Sequence, residues 1–316
     1  MLNSKKIREK IIDSQYLFII FTNLRAYIVY YLNRISNNEL EKRRFYKVLK
    51  YNVNLANPQS FNEKIFWKKI YDRNPLLPIT VDKYAVRAHI KKVLGEETAN
   101  DILIPLLYIT DKPEAIPFEN LQIPYIIKPN HTSGRYIIIR NNDYNKRKII
   151  ITCKKWLKTP FGLEKLEWAY QSIKRKIVIE KLLLDEEGNI PADFKFDMFD
   201  SRCKRIRVVR NRGSNQSNLI YDSKWNLLLK IKGEQSPKFG IEKPKNFEIM
   251  IEIAEKLAAD FDHVRVDLYN INGKIYFGEL THYSQSGLIN RISRNSDLEL
   301  GKAWTIKPEY WKIDKT

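Results

Sequence analysis

Residues 264–280 read VRVDLYNINGKIYFGEL: two short apolar strands around Asn272-Gly273, a pair favoured in hairpin turns. Alternation puts Val264, Val266 and Leu268 on one face and Arg265, Asp267 and Tyr269 on the other. A two-residue loop would set Asp267 opposite Gly278 and leave Glu279 on the wrong side. A three-residue loop, Ile271-Asn272-Gly273 with Gly273 in a left-handed bulge position, restores the parity and predicts Arg265 opposite Glu279. Asp267 then lies diagonally beside them. Two close carboxylates repel, so such a patch calls for compensating charge, from Arg265 or from a hard divalent cation such as Mg²⁺. An ordinary Arg–Glu cross-strand pair at a solvated edge is the other reading of these residues.

Outward from the hairpin, FEIMIEIAEKLAADF (247–261) is an amphipathic helix, and FKFDMF with RIRVVR (194–210) alternate like strands. RCKRIRVVRNRG (202–213) carries six Lys/Arg and no acid. Arg205, Arg207 and Arg210 on one strand face would make either a solvated charged edge or a wall for an acidic substrate, a role extended to Arg212. Lys195 would face the same space from the adjoining strand. Earlier, YIIKPNHTSG (125–134) ends an apolar strand in Lys128 and a small polar turn of Asn130, His131, Thr132, Ser133 and Gly134. Such a turn offers backbone N–H groups to phosphate oxygens, although neither a GxxxxGK[ST] nor a GxGxxG pattern is present. IVIEKLLLDEEG (177–188) reads as a strand whose Glu180 and Lys181 interrupt an apolar run. NPQSFNEKIFWKKIYD (57–72) predicts a helix with a Ser60/Glu63 capping box, TVDKYAVRAHIKKVLG (80–95) a second helix ending at Gly95, and residues 145–158 a third. Strands and helices in this order predict an α+β fold.

The chain has 316 residues, 43% of them hydrophobic, enough for a sizeable core. Fifty-six Lys/Arg against 37 Asp/Glu give a net charge of +19, which attracts polyanions. No zinc finger, RNP-like string or recognition-helix pattern accompanies that charge, so nucleic acid has charge alone in its favour. Two distant cysteines, Cys153 and Cys203, point to a reduced, cytoplasmic-type protein. Residues 1–54 read as a basic helical region. Asp13, Asn23, Arg25 and Asn33 interrupt its apolar run, so a membrane span is not expected. It packs on the body or lies on an anionic membrane surface.

The ordered stretches VDKYAVR, YIIKPNHTSG, IVIEKLLLDEEG and VRVDLYNINGKIYFGELT together resemble the ATP-grasp superfamily, and NPQSFNEKIFWKKIYDRNP resembles its TupA-like branch. The likeness covers roughly residues 55–290. It implies an ATP-grasp fold, with a catalytic region over 55–316 and nucleotide between two α+β lobes, the smaller about 104–180. It implies Lys83 and Lys128 on the ATP phosphates, His131, Ser133 and Gly134 covering them, and Glu180, Lys181 and Leu183 at the adenine edge, with Lys195 facing the nucleotide. Asp267 and Glu279 would hold Mg²⁺, with Thr281 in the place where many relatives have an Asn. Arg265 and Lys128 would serve the transferring phosphate, and Arg87, Arg210, Arg212 and His282 the substrate. The implied activity is an ATP-dependent carboxylate–amine ligase acting on a uronic-acid carboxylate of a cell-surface polysaccharide or its sugar-nucleotide or lipid-linked precursor. A glycan kinase could use the same nucleotide site.

Overall fold

The structure, a computed structural model, describes residues 2–210, 217–230 and 240–307. The chain opens with helices α1 (Leu2–Ile35) and α2 (Glu39–Leu49). The capping box forms as the sequence predicts: Ser60 Oγ accepts the Glu63 N–H at 3.3 Å, and the Glu63 carboxylate accepts the Ser60 N–H at 2.9 Å, starting α3 (Phe61–Tyr71). The helix expected over 80–95 is divided. Asp82 follows α4 (Leu76–Val81), and its carboxylate accepts the N–H of Tyr84 at 2.8 Å, so helix resumes only at α5 (Val86–Leu94). Gly95 ends α5 at φ 82°, and α6 (Glu96–Ile102) follows.

Strands β1 (Leu106–Thr110), β2 (Tyr125–Pro129) and β3 (Ile137–Ile139) precede helix α7 (Lys146–Lys158) and strand β4 (Ile177–Lys181). They make an antiparallel sheet in the order β1-β4-β2-β3, with a core of Tyr125, Ile127, Ile177, Ile179 and the α7 residues Ile149, Cys153 and Trp156.

The second sheet comprises β5 (Asp193–Phe199), β6 (Arg202–Arg210), β7 (Ser217–Tyr221) and β8 (Leu227–Lys230). After helix α8 (Phe247–Ala258) it is completed by β9 (His263–Ile271) and β10 (Lys274–Thr281), and α9 (Arg294–Lys302) follows. Its order is β10-β9-β5-β6-β7-β8. One face is apolar and carries Phe194, Phe196, Val264, Val266 and Leu268 against α8, whose Phe247, Met250, Ile253, Ala254 and Leu257 are buried in it. Burial of each larger side chain stabilises by roughly 1.5–3 kcal/mol. The α+β reading of the sequence holds. Covering one face leaves the other free to carry charge.

The opening hairpin departs from the expected turn. Ile271 pairs with Lys274, so the loop is the two residues Asn272 and Gly273, at φ 53° and 88°, as a type I′ turn requires. Parity changes instead at a bulge between Phe277 and Glu279. Glu279 therefore faces Asp267, and Arg265 faces Thr281. The carboxylates do share a face, by a different device from the predicted loop.

Candidate active site

On the charged face of the six-stranded sheet, strand register writes out the site. One row runs Glu279, Asp267, Lys195, Arg207 across β10, β9, β5 and β6; the next runs Thr281, Arg265, Asp197, Arg205. Each acid thus has a cation beside or diagonal to it. Lys195 Nζ contacts Asp267 and lies 2.7 Å from Asp193. Arg265 Nε and Nη2 both reach Asp267, each at 2.6 Å, and Nη2 lies 3.3 Å from Glu279. Arg205 holds Asp197 through Nε at 2.7 Å and Nη2 at 2.6 Å.

The electrostatics follow. Burial works against the Asp267 carboxylate, but Arg265 and Lys195 pull it down to about 2. Burial and Asp267 push Glu279 up, yet Lys83, Arg265 and Lys195 hold it below its ordinary value. Asp267 is enclosed, whereas 36% of the Glu279 side chain is exposed toward the cleft. Arg207 differs from its neighbours. Among the described residues no carboxylate pairs with it within 4 Å, and burial together with Arg265 lowers its pKa.

Across the cleft, the VDKY and KPN stretches are latched together. Asn130 Nδ2 lies 3.0 Å from each Asp82 oxygen, Asn130 Oδ1 accepts the Lys176 N–H at 2.8 Å, and the Lys83 N–H donates to the Asn130 carbonyl at 3.1 Å. This fixes Lys83, whose Nζ donates to the Thr132 carbonyl, and burial with Lys128 nearby holds its ammonium below the usual lysine range. Lys128 pairs with Glu180. Between the two sheets lies a cleft of about 390 Å³. Lys83, Lys128, Ser133, Gly134 and Arg135 line one side, Lys195, Arg207, Arg265, Asp267 and Glu279 the other, with Lys181, Leu182 and Leu183 between. A separate hollow near Asp72 and Asp262 has those carboxylates already paired with Lys68.

Several expectations are corrected. His131 does not line the cleft; it is buried beside the backbone of Thr159 and Trp156, with burial lowering it to about 4. The Glu180 carboxylate braces Lys128 and, at 3.5 Å, Arg87, and Glu180 is not among the residues lining the cleft, so only a backbone role at the adenine edge stays open to it. Arg87 also donates to the Ile104 carbonyl at 2.9 Å and is a brace, not a cleft wall. His282 is fully buried, its Nε2 2.8 Å from the Thr80 hydroxyl and its ring against Phe261. Arg210 has the opposite strand parity to Arg205 and Arg207 and is exposed at the end of β6. Arg212 lies outside the described residues. Thr281 does not line the cleft: its hydroxyl accepts from Arg265 at 3.0 Å and donates to Glu279 at 3.1 Å. Sequence reading passed over Asp193, Asp197 and Arg135; the period-2 pattern of FKFDMF could have found Asp197 beside Lys195.

A family model described as TupA-like ATPgrasp matches residues 63–305. The chain belongs to the TupA-like ATP-grasp family. Its fold is the ATP-grasp fold, and the two facing sheets are that fold's two walls. No curated protein matches the chain. Among solved structures it is similar to the D-alanine–D-alanine ligase of Helicobacter pylori (13% identity, 79% of this chain and 68% of that one, TM-score 0.44). It is also similar to the ATP complex of the Bacillus anthracis D-alanine–D-alanine ligase (16%, 71% and 68%, TM-score 0.40). A third is the ADP complex of purK, an N5-carboxyaminoimidazole ribonucleotide synthetase (14%, 66% and 46%, TM-score 0.36). This ATP-grasp chain thus spans about half the length of the last. The donor set suits Mg-nucleotide: two carboxylates abreast are a usual protein share of an Mg²⁺ octahedron, and Lys83 and Lys128 line the same cleft.

Proposed function

We propose that the protein is an ATP-dependent carboxylate–amine ligase that joins an amine to the carboxylate of an acidic sugar, in a cell-surface polysaccharide or its lipid-linked or nucleotide-linked precursor. The observation carrying this reading is the register row Glu279–Asp267–Lys195–Arg207, which runs along one cleft wall from paired carboxylates to a guanidinium that pairs with no carboxylate among the described residues.

Phosphoryl transfer needs alignment and charge neutralisation more than a protein nucleophile. Lys83 and Lys128 supply fixed positive charge to the phosphates, and backbone N–H groups around Ser133 and Gly134 add donors. Asp267 and Glu279 would hold Mg²⁺, which supplies Lewis acidity and charge when bound. Arg265, locked by Asp267, keeps its direction as charge develops. Arg207 lies both on this cleft and on a smaller hollow of about 40 Å³ lined by Arg205, Arg265 and Arg291. There it would hold the acceptor carboxylate, whose oxygen would take the γ-phosphoryl group as the bond to ADP breaks, giving an acyl phosphate; a neutral amine would then add at the carbonyl carbon and expel phosphate, its proton passing to solvent, to give the amide. The high positive charge of the chain agrees with an acidic acceptor.

With ATP, Mg²⁺, a panel of uronic acids and an amino-acid pool, ADP and phosphate should form only when acid and amine are both present. Arg207→Ala should raise KM for the acid by roughly tenfold or more, the loss of one charge-assisted contact, and leave KM for ATP unchanged. A stable phosphorylated sugar formed without any amine would overturn the reading.

A further inference from the structure

Helix α1 turns its apolar side outward. Leu17, Phe21, Leu24, Ile28, Tyr31 and Ile35 recur at spacings of four and three, and each is 48–80% exposed. That spacing draws one stripe along the helix. The opposite side is the one held by the body. Ala26 and Asn33, roughly half a turn of the helical wheel away, are buried. Asn23 Nδ2 donates to the Lys158 carbonyl at 3.0 Å, and Asn33 Oδ1 accepts the Glu41 N–H at 3.0 Å. The stripe therefore cannot roll inward without breaking these contacts. An apolar surface of this length is a recognition surface.

Charge chooses its occupant. From Ser14 to Asn38 there is no Asp or Glu, while Arg25 and Arg34 flank the stripe. Lys5, Lys6, Arg8 and Lys10 precede it, against Glu9 and Asp13. A second copy would bring like charges to the flanks of a coiled-coil seam, with no acid to pair them. An anionic bilayer complements the stripe and the flanks together. Tyr27 and Tyr31 suit the depth of the headgroups. No helix among the described residues is long and apolar enough to cross a membrane.

We propose that α1 lies in the plane of an anionic lipid surface, with its Leu17-to-Ile35 stripe among the acyl chains and its buried Ala26/Asn33 side carrying the body. The test is co-sedimentation of the full chain with phosphatidylglycerol–phosphatidylcholine vesicles and with phosphatidylcholine vesicles alone. The wild type should bind the anionic vesicles in a salt-sensitive way and the neutral ones far less. The double variant Leu24→Glu/Ile28→Glu should bind at least roughly tenfold more weakly. Its thermal midpoint and ATP binding should match the wild type, because both side chains are exposed. Equal binding by the variant, or no binding by the wild type, overturns the proposal. So does a dimer in sedimentation velocity that the variant dissolves, which would make a second copy the occupant.

Discussion

Glu279 and Asp267 sit side by side and yet are different groups. Asp267 is enclosed between Arg265 and Lys195, so its charge is already shared with two cations of the wall. Glu279 opens to the cleft and touches the wall only through Arg265 at 3.3 Å and Thr281 at 3.1 Å. A substitution at Asp267 would take from two buried cations a close partner, leaving Lys195 to Asp193 and Arg265 to Glu279, and would confound function with folding. One at Glu279 removes charge where a metal would arrive and disturbs little else. The three charges of the hairpin looked equivalent in sequence, because residue type and alternation give a face but not a depth. The same limit explains His131 and His282. A histidine in a polar turn or after a site strand has the type a substrate contact needs, and only packing against Trp156 or Phe261 reveals the structural one.

At the scale of the element, the hairpin depends on Gly278. A Cβ there would stand 2.9 Å from the Asp267 carbonyl oxygen and 3.2 Å from the Tyr269 ring, so the bulge that turns Glu279 toward Asp267 closes only over a glycine. Gly278→Val should cost about 1–3 kcal/mol by overpacking and weaken Mg-ATP binding together with stability. A variant equal to the wild type in thermal midpoint and in nucleotide titration would show that the close approach is unnecessary. Most elements were legible: the capping box of α3, the strand-turn-strand around Lys128, α7, α8 and the strand pair β5–β6 all fall where periodicity and turn residues put them. What sequence could not separate was an odd loop from an even loop followed by a bulge, since both restore the parity that places Asp267 and Glu279 together. Asp82 likewise fits a helical pattern in sequence, because its partner Asn130 is 48 residues away.

For the whole molecule, all four histidines, His89, His131, His263 and His282, are buried, and burial holds each below the ordinary imidazole range, His131 to about 4 and His263 to about 3. The unfolded chain takes up these protons near pH 6.5 while the folded chain refuses them until lower pH. The stability this lends is complete above that pH and is lost as pH falls toward 4, with a slope of about 1.4 kcal/mol per pH unit for each histidine involved. The thermal midpoint should therefore fall steeply between pH 6.5 and 4.5, values set by the imidazole range; a flat profile would show that the histidines are not buried neutral. Two sheets, one apolar face covered by α8 and one charged face left to the cleft, were foreseeable as an α+β arrangement. The arginine hollow is only half legible, because β6 parity assigns Arg205 and Arg207 to the wall and Arg210 to the outside, but no local pattern says that Arg205 pairs with Asp197 while Arg207 pairs with no carboxylate among the described residues. On the proposed reading this cleft is a Mg-nucleotide site in which Asp267 and Glu279 would hold the metal, Glu279 being the ligand open to the cleft. It is tested most directly by calorimetric titration of a non-hydrolysable ATP analogue, with and without Mg²⁺, into the wild type and Glu279→Gln. Mg²⁺ should strengthen binding in the wild type and no longer do so in the variant, at an unchanged thermal midpoint; absence of nucleotide binding, or an equal Mg²⁺ effect in both proteins, would rule the site out.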